Sequence, residues 1–145
     1  MFVTQILNSK QTSGVLTIDP GASIADAVAE LAARRIGALV VSSDGSHAEG
    51  ILSERDIVRE IGRDGPAILE RRVADLMTRE LQTCAPGDHA QAVLAAMTEG
   101  RFRHMPVVKD GALIGLISLG DVVKARLSEV SMEKDALEAM ISGHG

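Results

Sequence analysis

The chain is written twice, and that repetition limits its fold more than any other feature. SERDIV (53–58) and SLGDVV (118–123) share a hydroxyl, two variable residues, an aspartate and two aliphatics, each after a glycine and a short apolar run. With Pro20-Gly21 set over Pro86-Gly87, AVAELAARRIGALVVSSDG (27–45) lies over VLAAMTEGRFRHMPVVKDG (93–111) without a gap. One deletion later, GILSERDIV (50–58) lies over GLISLGDVV (115–123). Upstream, VTQIL (3–7) resembles VADLM (73–77), with about four extra residues in the first copy before its proline. A single copy of about 60 residues buries a sheet face poorly, so the two are expected to pack face to face about a pseudo-twofold axis.

Each copy has the same coarse pattern, β-α-β-β-α. A short strand (Val15–Ile18; Leu81–Cys84) precedes the Pro-Gly turn. Ile24, Val28 and Leu31, then Ala90, Leu94 and Met97, recur at i, i+4, i+7 and predict one apolar helix face per copy. Ser23 caps the first of these helices, and Asp88, with Gln91 three residues on, is expected to cap the second. An aliphatic strand (Ala38–Val41; Met105–Val108), an Asp-Gly turn and a further strand (Gly50–Leu52; Leu113–Ile117) follow. The Ser-x-x-Asp helix closes the copy, its serine and aspartate fitting the two halves of a helix cap. The predicted organisation is a mixed α/β chain: a first repeat over 1–62, a Gly-Pro-containing connector over 63–72, a second repeat over 73–127, and a C-terminal helix extension and tail over 128–145. In that last helix Leu119, Val123, Leu127, Val130, Leu137 and Ile141 keep one apolar stripe, to be packed on the chain's own domain or against a partner.

Composition removes several classes of function. The net charge of −5 and a pI near 5.3 lack the basic footprint of a phosphate-backbone binder, and with only Phe2 and Phe102 as aromatics the stacking platforms of single-strand binders are missing; no nucleic-acid partner is expected. No apolar run approaches the roughly 18 residues of a membrane span, and MFVTQILNSKQ is not laid out like a secretory signal. The single cysteine fits a reducing compartment, so a cytoplasmic location is expected. His47, His89, His104 and His144 form no metal spacing with Cys84. Cys84 reads as a small buried apolar residue, and Met77, Met97, Met105 and Met140 read as core filler. No nucleophile–base set and no Walker-type glycine loop is present, so no catalysis and no cofactor is expected.

The doubled set, in fixed order, resembles a tandem pair of CBS domains, the modules named after cystathionine β-synthase. RFRHMPVVKDGALIGLISLGDVVKARL is similar to the second copies of small stand-alone bacterial members, and the resemblance covers roughly residues 1–127. It implies two β-α-β-β-α units packed through their sheets with two clefts between them, a homodimer formed through the repeats, and a regulatory role. It also implies an adenosine-containing ligand: AMP, ADP or ATP, or else NAD or S-adenosylmethionine.

Chemistry and resemblance together nominate site residues. A carboxylate accepts hydrogen bonds from both hydroxyls of a ribose, which suits Asp56 and Asp121. The helix start beside each offers amides to a phosphate, with Ser53, Ser118 and Gly120 at hand. The resemblance implies that each cleft joins the aspartate of one copy to a strand of the other. Asp121 would then face Thr17, Ile18 and the Ile36-Gly37-Ala38 corner, in a mostly aliphatic slot; IGALVV also reads as plain buried strand. Asp56 would face Thr83, Cys84, Phe102, Arg103 and His104, the more cationic cleft, with Arg55 as a further phosphate contact. Arg55 otherwise reads as an exposed first-turn residue, Arg101 and Arg103 as a solvated strand edge, and Lys10 as surface. Two functions survive: a regulatory sensor of adenine nucleotides, with an effector protein downstream, or an interaction module whose clefts are vestigial and whose long helix or repeat face binds a protein.

Overall fold

The computed structural model describes residues 1–10 and 14–143. The first repeat runs β1 (Thr17–Ile18), α2 (Ile24–Arg34), β2 (Ala38–Val41), β3 (Gly50–Ser53) and α3 (Glu54–Asp64), preceded by α1 (Val3–Ser9). The second runs α5 (Ala90–Gly100), β4 (His104–Lys109), β5 (Ala112–Ser118) and α6 (Leu119–Ile141), preceded by α4 (Val73–Leu76). In the first sheet β1 pairs parallel with β2, and β2 antiparallel with β3. In the second, β4 and β5 form a hairpin whose turn, Asp110-Gly111, places both residues at positive φ, as a two-residue primed turn requires.

The strand expected over Leu81–Cys84 contracts to one parallel bridge, Cys84 to Val107. In the first copy Thr17 pairs with Val40. The corresponding partner for Thr83 is Pro106, which has no amide to donate, so the ladder stops at Cys84. The cap expected at Asp88 is also corrected. Ser23 does accept from the Asp26 amide, but α5 starts from His89 without a side-chain cap. Asp88 is spent closing the Pro-Gly turn by accepting from the Ala85 amide at 2.8 Å. The Ala90 amide, left without a side-chain acceptor, bonds instead to the Met1 carbonyl at 2.9 Å.

That last bond belongs to an exchange. The leading helix of each copy docks on the other copy, through matching pairs of backbone bonds. Val3 N–H donates to Asp88 O (2.9 Å) as Val73 N–H donates to Ala22 O (2.8 Å). Thr4 N–H donates to Pro86 O (3.0 Å) as Ala74 N–H donates to Pro20 O (2.9 Å). Ile24 N–H donates to Arg71 O (2.9 Å), the counterpart of the Ala90–Met1 bond. The cores follow the exchange: Val3 and Ile6 are buried with Cys84, Val93, Met97 and Ile117, while Val73, Leu76 and Met77 are buried with Ile24, Leu39 and Leu52. The expected pseudo-twofold relation is therefore carried by α1 and α4.

The stretch between the copies contributes to packing as well. Gly65, at φ 80, ends α3, and a 3-10 turn over Pro66–Glu70 buries Ile68 in the first core. Helix α6 buries only Val122 and Ala125 fully. Its expected apolar stripe does not pack on the domain: Leu119 is partly buried, but Val123, Leu127, Val130, Leu137 and Ile141 are exposed. Met140, expected as core filler, is 69% exposed, whereas Met77, Met97 and Met105 are buried as expected. Among the described residues no helix is long and apolar enough to cross a membrane.

Candidate functional site: a cleft between the repeats

Helices α3 and α6 both begin at a serine whose hydroxyl accepts from the amide of the aspartate three residues on. Each aspartate returns a bond to its serine's amide, at 3.0 Å for Asp56 and 2.8 Å for Asp121. These reciprocal bonds fix both carboxylates at the sheet–helix junction. The residue opening each helix is also matched: Glu54 N–H donates to Gly37 O and Leu119 N–H to Arg103 O. The two sites share one architecture up to this point, and then they diverge.

Around Asp56 lies an open cleft of ≈ 700 Å³. The first copy contributes Ser53, Glu54, Arg55, Asp56, Arg59, Gly37 and Ile51; the second contributes Arg101, Phe102, Arg103, His104 and Pro106, and the segment after α4 adds Thr78, Glu80, Leu81 and Gln82. The arginines at positions 55, 59, 101 and 103 outnumber the acids Glu54, Asp56 and Glu80 there, in a chain whose net charge is −5. Asp56 Oδ2 is held by the cap, while among the described residues Oδ1 bonds only to the guanidinium of Arg59, at 3.1 Å from a side chain that is 62% exposed. That exposed arginine is easily displaced or recruited. Arg101 takes the left-handed conformation at the end of α5 (φ 55), as Arg35 does at the end of α2 (φ 54), and so turns Phe102 and Arg103 toward the cleft. Gly100 makes room for this corner, since a Cβ there would stand 2.3 Å from the Phe102 ring.

Around Asp121 the arrangement is closed. Lys10 Nζ donates to Asp121 Oδ2 at 2.8 Å and to the Leu116 carbonyl at 2.9 Å. Its expected surface position is therefore corrected: Lys10 is 30% and Asp121 26% exposed, against 13% for Asp56, so the two sites differ in the cation that holds the carboxylate and not in its burial. At the equivalent place in the first copy a backbone pair, Ile51 with Thr78, fills the same carbonyl. In the second copy a lysine side chain thus substitutes for an amide. Burial alone would raise the Asp121 carboxyl, but the Lys10 ammonium and the Ser118 bonds hold it below the ordinary carboxylate range. Burial pushes the His104 imidazole below its ordinary value, with Asp121 pulling the other way and Lys10 adding to the depression.

The nominated residues therefore fall into three groups. Ser53, Arg55, Asp56, Phe102, Arg103 and His104 meet in the open cleft, and Gly37 joins them rather than Asp121, lying against the His104 ring. Ser118 and Asp121 form the closed site with Lys10, and Gly120 is exposed on the first turn of α6. Thr17, Ile18, Ile36 and Ala38 build the first sheet and its core: Ile18 and Ala38 are buried and Ile36 packs against that core. Thr83 is exposed and Cys84 is buried in the second core, and neither lines the cleft. Sequence reasoning passed over Arg59, although it follows Arg55 by one helical turn and so shares its face. It also passed over Thr78, Glu80, Leu81 and Gln82, which follow the exchanged α4 into the cleft.

Among the described residues no three His, Cys, Asp or Glu side chains form a metal cluster; His144 lies outside those residues. Burial, with the Asp88 carboxylate adding, pushes the Cys84 thiol up to about 12. Cys84 is accordingly expected to stay unmodified by an alkylating reagent at pH 8 in the folded chain and to react at once in denaturant, as intact mass spectrometry will read; fast labelling of the native chain would contradict the buried placement.

Two matched repeats, tied by exchanged helices and opening a shared cleft, define a tandem-repeat pair. The chain belongs to the CBS-domain family, whose model matches residues 5–63 and 73–128, and CBS domains are regulatory modules. It is 38% identical over 125 residues to the mitochondrial CBS domain-containing protein CBSX3 of Arabidopsis thaliana, covering 83% of this chain but 61% of that one, less than two thirds of its length. The CBS-domain containing protein ATU1752 from Agrobacterium tumefaciens superposes with a TM-score of 0.82 at 40% identity, over 87% of this chain and 99% of that one. The CBS domain pair of protein MJ0100, solved with 5′-methylthioadenosine and S-adenosyl-L-methionine, shares the fold with a TM-score of 0.77 at 20% identity, over 89% of this chain and 98% of that one.

Proposed function

We propose that the chain is a regulatory module that senses an adenosine-containing ligand, foremost AMP, ADP or ATP, in the cleft at Asp56. The observation that carries this reading is the set of four arginines that line one cleft with a capped carboxylate, in an otherwise acidic chain. The Asp56 carboxylate takes the ribose diol, displacing Arg59, and Phe102 with Ile51, Leu81 and Pro106 offers the purine an apolar wall. Arg55, Arg101, Arg103 and the start of α3 take phosphate. NAD or S-adenosylmethionine makes fewer or different demands on the arginines and is the alternative ligand. The relative solved with adenosine derivatives supports the ligand class, not the choice within it. Because the ligand touches both copies, binding ties them together, and the output passes to an effector protein through a homodimer. Lys10 favours the second reading, an interaction module with vestigial clefts, for the Asp121 site alone.

Titration calorimetry and thermal unfolding with AMP, ADP, ATP, NAD and S-adenosylmethionine test the proposal. A ligand at 100 times its Kd adds about 2.7 kcal/mol, a rise of roughly 5–10 °C for a chain of this size. The expected stoichiometry is one per chain, and Lys10→Met, which frees Asp121, is expected to add a second, weaker site. No shift with any of the five ligands overturns the sensor reading. A Lys10→Met variant that binds more weakly and still with one site would make Lys10 a ligand contact instead of a latch.

A further inference from the structure

The exposed stripe on α6 has no partner among the described residues, and its spacing says what covers it. Leu127, Val130, Leu137 and Ile141 are 67, 51, 59 and 86% exposed, and with Lys134 they fall at alternating intervals of three and four residues. That is the seam spacing of one helix packed against another of its kind. The stripe begins at Val123 and lies roughly a third of a turn around the helix from Val122 and Ala125, which face the body. After Glu129 nearly every residue of α6 is exposed, and about three turns of helix unsupported by tertiary packing are marginal in water. We propose that this segment pairs antiparallel with the same segment of a second copy of the chain.

Charge decides the direction. In a parallel pair Lys134 would meet its own copy in the seam, and Glu133 would stand beside the partner's Glu138 on both flanks, like against like. In the antiparallel pair Leu127 lies opposite the partner's Leu137, and Val130 opposite the partner's Lys134, whose long stem covers it. Lys124 then faces the partner's Glu138 on each side, leaving one like-charged contact, between the two copies of Glu133 near the centre. The proposal is independent of whether a nucleotide binds.

Two measurements test it. By light scattering after gel filtration, the particle mass of Leu127→Asp/Leu137→Asp is expected to be half that of the unaltered chain; both sites lie outside the cores, so thermal unfolding of the variant should still show a folded body. In otherwise unaltered chains, Glu133→Cys is expected to form a disulfide-linked dimer under mild oxidation. Ile141→Cys should not, because the two copies of position 141 lie about 27 Å apart in the antiparallel pair, and the native Cys84 is buried and silent. A monomeric unaltered chain, an unchanged mass in the double variant, or cross-linking at 141 in preference to 133 would each overturn the proposal.

Discussion

Ile6→Ala is expected to destabilise the chain by about 2–5 kcal/mol, the cost of truncating a fully buried isoleucine and leaving a cavity. At this length that lowers the melting temperature by roughly 5–15 °C. Ile6 lies in the short helix that opens the chain, yet it is 2% exposed and belongs to the second core, beside Met97 and Ile117. Hydrogen exchange should therefore show the loss first in β4, β5 and α5, more than eighty residues downstream, and not in the first repeat. Val58→Ala, on a side chain 68% exposed, should stay within about 0.5 kcal/mol. A cost for Ile6→Ala as small as that, in urea unfolding, would mean that α1 is not docked where the exchanged backbone bonds place it.

Asp56→Ala is expected to lower the affinity of the cleft for an adenine nucleotide by 100-fold or more, since hydrogen bonds to a charged group are worth about 1.5–3 kcal/mol each and the ribose offers two. The same substitution removes half of a capping box and should cost about 1 kcal/mol of stability whether or not anything binds. The two effects separate by comparison with Asp121→Ala, which loses the same kind of cap together with the Lys10 pair but leaves the open cleft intact. Nucleotide binding should survive Asp121→Ala and vanish in Asp56→Ala. Equal, small effects of both on binding would reduce Asp56 to a cap and favour the interaction-module reading.

Much of the fold was legible because the chain states it twice. Ser53-x-x-Asp56 and Ser118-x-x-Asp121 announce helix starts by local hydrogen bonding alone, and both formed as capping boxes. The Asp110-Gly111 turn and the apolar periodicity of α2 and α5 are equally local. Errors arose where a distant residue competed: Pro106 cut short the strand at Cys84, and the Met1 carbonyl took over a cap assigned to Asp88. The candidate site was half legible. Phe102, Arg103 and His104 were placed against Asp56 through a family resemblance. Thr83 and Cys84 were carried along by the same reasoning into a cleft they do not line.

What the sequence determined by itself is the repeat, the helices and hairpin strands of each copy, the Ser-x-x-Asp caps of α3 and α6, and an acidic chain. Those follow from interactions within a few residues or from periodicity. Which copy each leading helix packs on is not such a property, because VTQIL and VADLM offer the same apolar face to either core. Only the tertiary structure assigned α1 to the second repeat and α4 to the first. That exchange carries Lys10 onto Asp121 and sets Thr78, Glu80, Leu81 and Gln82 along the cleft that holds Asp56. Two sites built from the same local sequence thus became one closed by an internal cation and one left open, because the difference lies in long-range packing and charge, which no local pattern encodes.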